Sequence, residues 1–268
     1  MDRPGWAPEG IDLTRPSSAR LYDYFLGGAH NFAVDRELAR QIVAITPSVG
    51  EAMRANRSFL RRAVRYLAGQ GIRQFLDIGS GIPTVGNVHE VAQQDAPDSR
   101  VVYVDRDPVA VAHSRAILQG NERAAVLQLD LREPERIVTE AQQTGLIDFT
   151  EPVGLLLITV LHFISDADDP AGIVACLRDP LPARSHLAVT HVTYENQPPE
   201  ILQAYELSKH TPEPIIPRSH AEIAAYFDGS TLVEPGLVDI PLWRPDTPDD
   251  LDEPPRRSNA LAGIGRKG

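Results

Sequence analysis

Three aspartates, each at the end of an apolar, β-branched run, carry the most legible chemistry in this chain. The first, Asp77, lies in Phe75-Leu-Asp-Ile-Gly-Ser-Gly-Ile-Pro-Thr84, where Gly79 and Gly81 follow at once. Glycine has no Cβ, so such a strand-to-loop turn lets backbone come close to a nucleotide-like ligand. A dinucleotide loop needs a third glycine where Thr84 stands. A carboxylate beside the loop also repels a pyrophosphate and suits a cationic ligand. S-Adenosylmethionine (SAM) carries an ammonium and a sulfonium and no phosphate. Asp77, Gly79, Ser80 and Gly81 are therefore expected to face SAM rather than NAD. Asp105 ends Val101-Val-Tyr-Val-Asp105, about 25 residues past the loop, against the usual ~20 for a ribose-binding acid. It can accept from both ribose hydroxyls, with Arg106 beside it. Asp130 ends Ala125-Val-Leu-Gln-Leu-Asp130 and can accept from the adenine amine, with Leu131 next. Each acid alone equally suits a helix or turn cap. Three in this order, gathered at strand carboxyl ends, suit a nucleoside site.

A methyl group leaves a sulfonium, so the cofactor would supply the electrophile, and the protein must align a nucleophile and take up a proton. The fourth predicted strand, residues 153–159, leads into Thr159-Val-Leu-His-Phe-Ile-Ser-Asp166. Thr159 is expected to border the cofactor. His162 is the only ionisable side chain immediately past that strand, which makes it the candidate general base. Packing is its competing role. Asp166, Asp168 and Asp169 lack a second histidine at ligand spacing, so no metal is expected. They suit the N-terminus of a helix opening at Pro170. His191 and Tyr194, past the fifth strand, are candidates for the acceptor pocket. Tyr22 and Tyr24 sit two apart and do not share a helix face; Tyr22 is read as lying on the cofactor. Gly28 and Asn31 are placed there too, Asn31 on the methionine carboxylate. A Gly27-Gly28 helix stop is the competing account.

Helices and strands must position these groups. Ser17 can cap a helix over residues 18–26, stopped by the glycines, and residues 35–45 read as helix until Pro47. Residues 51–67 form an amphipathic helix with Phe59, Leu60, Ala63, Val64 and Leu67 on one stripe. Arg54, Arg57, Arg61 and Arg65 mark its other face, read as solvated or salt-bridged in an acidic chain. From Gln74, strands and helices alternate, which predicts an α/β, doubly wound, mostly parallel sheet. The late extended segments at 232–233, 237–242 and 261–266 predict an antiparallel hairpin at one edge, with 244–257 a Pro/Asp-rich loop. Residues 1–70 are read as a helical extension or lid across the cleft, and 71–268 as the SAM-binding unit.

The chain has 268 residues, enough for one good core, and a net charge of −11, which counts against gripping nucleic-acid backbone. Its single cysteine, Cys176, permits no internal disulfide. Without a run of ~18 apolar residues or a basic-then-apolar leader, a soluble, cytoplasmic protein with no membrane partner is expected.

Several segments together resemble the actinobacterial SAM-dependent methyltransferases long catalogued as a domain of unknown function. They include Tyr22-Asp-Tyr-Phe-Leu-Gly-Gly28, Asn31-Phe-Ala-Val-Asp-Arg36, Asn56-Arg-Ser-Phe-Leu-Arg-Arg62, the Phe75 to Thr84 loop, Phe227-Asp-Gly229 and Trp243-Arg-Pro245. The first is specific to that family, whereas Asp-x-Gly-x-Gly is shared by most SAM enzymes. His30 departs from the pattern, since similar proteins more often carry Lys there. The resemblance spans nearly the whole chain and implies a Rossmann-like class I methyltransferase fold with a seven-stranded sheet. It implies SAM as cofactor, and an N-terminal segment that helps close the SAM pocket. The expected function is SAM-dependent methyl transfer to a small-molecule acceptor. The alternative is a methyltransferase-like protein that binds SAM without catalysis. An NAD(P)-dependent oxidoreductase is disfavoured by Asp77 and Thr84.

Overall fold

A computed structural model of the chain describes residue 7 and residues 11–83, 86–209, 213–246 and 259–268. Thr84 and the end of the helix that the sequence predicts over residues 203–210 lie outside these, as does most of the predicted loop past Arg244. The five apolar runs become parallel strands: β1 (Gln74–Ile78), β2 (Arg100–Asp105), β3 (Ala124–Gln128), β4 (Gly154–Ile158) and β5 (His186–Val192). Every residue of β1 and β4 is buried, as a strand covered on both faces requires. That is why their sequences read as unbroken apolar runs. Three short or late strands complete the sheet: β6 (Ser230–Leu232), β7 (Val238–Asp239) and β8 (Ala260–Lys267). The order is β3-β2-β1-β4-β5-β8-β6, with β7 also paired to β8.

The last strand departs from the expected edge hairpin. β8 inserts between β5 and β6 and runs antiparallel to both. Its composition explains the interior place. Ala262 and Ile264 are fully buried, and Gly263 and Gly265 lie so close to the Phe227 ring that a Cβ would crowd it. A larger side chain there would force the sheet and α-layer apart.

Helices α1 (Ser18–Phe25), α2 (Ala33–Ile45) and α3 (Val49–Gly69) precede the sheet. The predicted stripe of α3 is buried with Phe75, Val101 and Leu156 on one sheet face, capped by Trp243. Buried Arg62 donates from Nε to the Trp243 carbonyl and from Nη2 to that of Ile240, both at 2.9 Å, which fastens the late segment to α3. The other sheet face packs under α6 (Pro134–Gln143) and α7 (Pro170–Arg178). Between α3 and α6 in the chain come α4 (Val88–Asp95) and α5 (Pro108–Ile117). Asp107 caps α5, accepting from Val109 N at 2.7 Å ahead of Pro108 at the first helical position. Asp169 caps α7 in the same way through Gly172 N. Of the acids after β4, Asp169 thus serves a helix start, while Asp168 accepts from Ser165 Oγ at 2.7 Å. Helix α8 (Pro199–Ser208) begins four residues before its predicted start, because Pro199 opens the helix rather than breaking it, and α9 (His220–Ala225) carries a Ser219–Glu222 capping box. Among the described residues no helix is long and apolar enough to cross a membrane.

Candidate functional site

The carboxyl ends of β1 to β4 open into a cavity of about 300 Å³, walled on its far side by α1, α2, α3 and α8. At the end of β1 the chain turns through Gly79, whose φ of +75° and contact with Val160 leave no room for a Cβ. Gly79 N and Ser80 N donate to the Val104 carbonyl at 2.8 and 3.2 Å, and Gly81 N donates to Asp105 Oδ2 at 2.7 Å. A phosphate-cradling loop presents free amides. Here the amides are engaged and two carboxylates stand beside them, so the loop repels a pyrophosphate.

The carboxylates differ in environment. Asp77 is 5% exposed. Burial pushes its pKa up to about 7, with Arg57 pulling down and Asp105 adding to the rise. Burial likewise lifts Asp105 to about 6, against the backbone amides of Asp107 and Gly81 that favour its ionised form. With one accepted bond per oxygen, Asp105 keeps acceptor capacity for a diol. For Asp130, burial is outweighed by hydrogen bonds from Arg132 and the charges of Arg132 and Arg106, which hold it below the usual range. Arg132 donates from Nε and Nη2 to the two oxygens at 3.0 and 2.8 Å. Arg106 bridges towards Asp130 and pairs with Glu213.

Ten of the twelve residues expected at the cofactor line this cavity, as does His162. They are Tyr22, the loop residues Asp77, Gly79, Ser80 and Gly81, the pairs Asp105–Arg106 and Asp130–Leu131, and Thr159. The structure places Gly28 and Asn31 elsewhere, in the turn between α1 and α2. Asn31 Nδ2 donates to Asp23 Oδ2 at 2.9 Å and to the Gly28 carbonyl at 3.0 Å, while its Oδ1 accepts from Arg36. Gly28 abuts the Asp23 carboxylate. Both residues build the helix stop. His191 is fully buried away from the cavity, with Nε2 against Arg218 at 3.0 Å, and Tyr194 is exposed. Neither is brought to the site.

His162 sits in a short 3₁₀ turn (Leu161–Phe163) after β4, 2% exposed, with Nδ1 lacking a hydrogen-bond partner. Burial first, then the neighbouring His191 ring and the positive charge of Arg218, hold its pKa well below the usual value. It is a neutral imidazole at physiological pH. Behind it, Arg218 donates to the Ile164 carbonyl at 3.0 Å and to Asp166 Oδ1 at 2.6 Å, which makes Asp166 a counter-ion. Among the described residues no group of three His, Cys, Asp or Glu side chains is placed to hold a metal.

Two site residues escaped the sequence reading. Asn56 links α1 to the sheet: Tyr22 Oη accepts from Asn56 Nδ2 at 3.0 Å, and Asn56 Oδ1 accepts from Thr190 Oγ1 at 2.8 Å. Thr190 in turn accepts from Thr159 N at 2.9 Å. Arg57, assigned above to a solvated row, faces the cavity. Its Nε and Nη2 are buried and have no hydrogen-bond partner. The signal was available: Met53, Asn56, Arg57 and Leu60 follow i, i+3, i+4, i+7 spacing, and all four line the cavity. The lining from α1, α2, α8 and the turn after β4 includes the apolar side chains of Phe25, Leu38, Ile42, Phe163, Ile201 and Leu207.

These groups fit SAM. Asp105 has free acceptor capacity for a ribose, Ser80 Oγ is buried without a partner, and an acid lies beside the loop where the cofactor is cationic. The comparisons agree. A crystal structure of a duf574 family protein from Streptomyces avermitilis superposes with a TM-score of 0.91 at 39% identity, covering 96% of this chain and 99% of that one. A candidate methyltransferase from Thermobifida fusca gives a TM-score of 0.91 at 41% identity, covering 98% and 99%. An O-methyltransferase family protein from Burkholderia thailandensis, 12% identical with a TM-score of 0.52 and covering 95% and 65%, shares the fold alone. No curated protein matches the chain. The S-adenosyl methyltransferase family model matches residues 4–268, and the chain belongs to that SAM-dependent methyltransferase family.

Proposed function

We propose that this protein transfers a methyl group from SAM to a small, largely apolar acceptor held between the strand ends and helices α1, α2 and α8. The observation that carries this reading is that one cavity is lined both by acids and the glycine turn from the strand ends and by aliphatic and aromatic side chains from the helices. In this reading Asp105 accepts from the ribose hydroxyls, while Asp130 and Leu131 border the base. Asp77, Gly79, Ser80 and Gly81 hold the remaining end, with Tyr22, Arg106 and Thr159 along the sides. The bound cofactor supplies the electrophilic methyl group. Residues 1–70 act as a lid that keeps water from the reacting centre. His162, uncharged and facing the cavity, takes the acceptor proton. Its lowered basicity matches an acceptor that ionises readily or already presents a lone pair.

The same weak base favours a second reading, SAM binding without catalysis. Calorimetry with SAM, S-adenosylhomocysteine and NADH, followed by mass-spectrometric screening of apolar small molecules for methyl transfer, separates the two. Catalysis is expected to give a methylated product whose formation falls in His162→Phe while SAM affinity holds. SAM binding with no product from any apolar acceptor supports the second reading, and tighter binding of NADH than of SAM rejects both.

A further inference from the structure

The turn that carries His162 is held from behind by a cluster that the proposed chemistry does not use. Its first residue is strained: Thr159, just after β4, sits at φ +58°, a left-handed conformation that a β-branched side chain rarely adopts. Such backbone persists only where its surroundings over-determine it. On one side, Thr159 N bonds to Thr190 Oγ1 at 2.9 Å. On the other, residues 213–218 run past the turn as a strap ahead of α9. Ile216 N donates to the His162 carbonyl at 2.8 Å. The Arg218 guanidinium, 4% exposed, donates to the Ile164 carbonyl at 3.0 Å and more loosely to that of Leu161 at 3.4 Å. It also reaches His191 Nε2 at 3.0 Å and Asp166 Oδ1 at 2.6 Å.

A cluster running from His162 through His191 and Arg218 to the exposed Asp166 suits either of two roles, a proton relay to the surface or a buttress. The hydrogen bonds decide between them. Arginine only donates, so His191 Nε2 accepts, and its ring proton sits on Nδ1, which donates to the Val192 carbonyl at 2.8 Å. Both ring nitrogens of His191 are thus committed. It has none left to take a proton from His162, whose ring centroid lies 5.7 Å away. Nor does the strap need the guanidinium as an anchor. Its backbone is fastened separately, from Ile215 N to Ser208 Oγ at 3.0 Å and from Arg218 N to the Val192 carbonyl at 3.2 Å. The planar fork instead spans both ends of the 3₁₀ turn, a reach that a single ammonium lacks. Arg218 stands outside the cavity lining, whereas His162 is part of it. We propose that Arg218 is a positioning residue, which fixes the turn after β4 and so holds the His162 ring against the cavity. This deepens the proposed function and rests on His162 being the base there.

The test reads the His162 ring directly and needs no acceptor. Proton–nitrogen correlation spectra of isotope-labelled imidazole rings, taken near neutral pH, are assigned by the signals lost in His162→Phe and in His191→Gln. In wild type, His191 is expected as the Nδ1–H tautomer alone. His162 is expected as one neutral species, its ring protons shifted by the Phe163 ring at 4.2 Å between centroids. A proton on His191 Nε2 would overturn the buttress with no variant needed. Arg218→Leu and Arg218→Lys should both move the His162 signals towards those of a free imidazole averaged over two tautomers. Lys keeps the charge without the fork, so wild-type signals in Arg218→Lys would mean that charge alone matters and would sink the proposal. S-Adenosylhomocysteine affinity, measured by calorimetry, should stay within about threefold in both variants, which shows that the cofactor site has folded. A larger loss would show collapse of the whole site and count equally against positioning. Wild-type His162 signals in Arg218→Leu, with only a lower melting temperature, would leave Arg218 a purely stabilising residue. Failure of the base itself reads differently. Methyl transfer undiminished in His162→Phe removes the base, and with it what Arg218 positions, whatever the ring signals show.

Discussion

Replacing Asp77 by Asn should stabilise the cofactor-free protein at alkaline pH while weakening its hold on SAM. Burial lifts the Asp77 carboxyl from an ordinary 3.8 to about 7 in the fold. The folded state therefore binds a proton that the unfolded chain has released. Because the folded pKa is the higher one, stability falls as pH rises through 3.8 and stops falling above about 7. A difference of about 3 pKa units corresponds to about 4 kcal/mol, and roughly 2.5 kcal/mol of it develops between pH 5 and pH 8. Asn carries no charge at any pH, so the stability gap between variant and wild type should grow in the variant's favour by about that amount across the window. The attraction of Arg57 for the ionised carboxylate is already contained in that pKa, so it adds nothing further to the slope; a pH-independent difference between Asn and the protonated acid would shift the whole gap without tilting it. Urea unfolding of both proteins without cofactor, at half-unit steps from pH 5 to pH 8, gives the gap directly. A gap that stays flat would mean that Asp77 is not held protonated by burial and would refute the reasoning. The same titration of S-adenosylhomocysteine affinity in wild type should rise with pH up to about 7, because the ammonium binds the ionised acid.

Gly79→Ala should cost roughly 1–3 kcal/mol from backbone strain at φ +75° plus the overlap with Val160, so Val160→Ala in the same chain should restore only part of the melting temperature. Full restoration would show that the backbone conformation carries no strain. Hydrogen exchange with and without S-adenosylhomocysteine should show added protection over residues 21–32, as a lid predicts. Equal exchange would leave α1 and its turn a fixed scaffold.

Legibility followed sequence separation. The glycine turn, Asp77 and Asp105 could be read because their chemistry is local: strand, turn and acid lie within one βαβ unit, and Gly81 bonds to the acid 24 residues on. The alternation of strands and helices was readable for the same reason. Arg57 was not, because helical periodicity tells which residues share a face but not what that face meets. Its neighbours in the cavity come from β1 and the Gly79 turn, reached only after α3 packs. The Tyr22–Asn56–Thr190 link spans 134 residues between Asn56 and Thr190, beyond any local pattern. Asn31 misled through chemistry that was correct in kind: its amide does bind a carboxylate, but that of Asp23. The position of β8 turned on packing, since its small residues suit an interior slot only once Phe227 is in place.

The polar and apolar parts of the cavity lining are built with different kinds of support, and in the proposed function this bears on acceptor choice. The polar part is over-determined. Arg20 donates to Asp35 at 2.8 Å with both side chains almost fully buried, and lies 3.7 Å from Asp107. Asp107 also accepts from Ser17 and caps α5. Breaking such a buried pair by removing one partner costs about 3–5 kcal/mol. Together with the Tyr22–Asn56–Thr190 chain it ties α1 both to α2 and to the strand ends that line the cavity. The apolar part depends on side chains of α2 and α8, such as Leu38, Ile42, Ile201 and Leu207, whose role there is volume and contact rather than charge. Exchanging one aliphatic side chain for another of similar size costs under about 1.5 kcal/mol in a packed core. Substitutions on α2 and α8 can therefore reshape this part of the cavity without disturbing the acids at the strand ends. In the proposed function, acceptor choice is thus carried by α2 and α8, and cofactor choice by the strand ends.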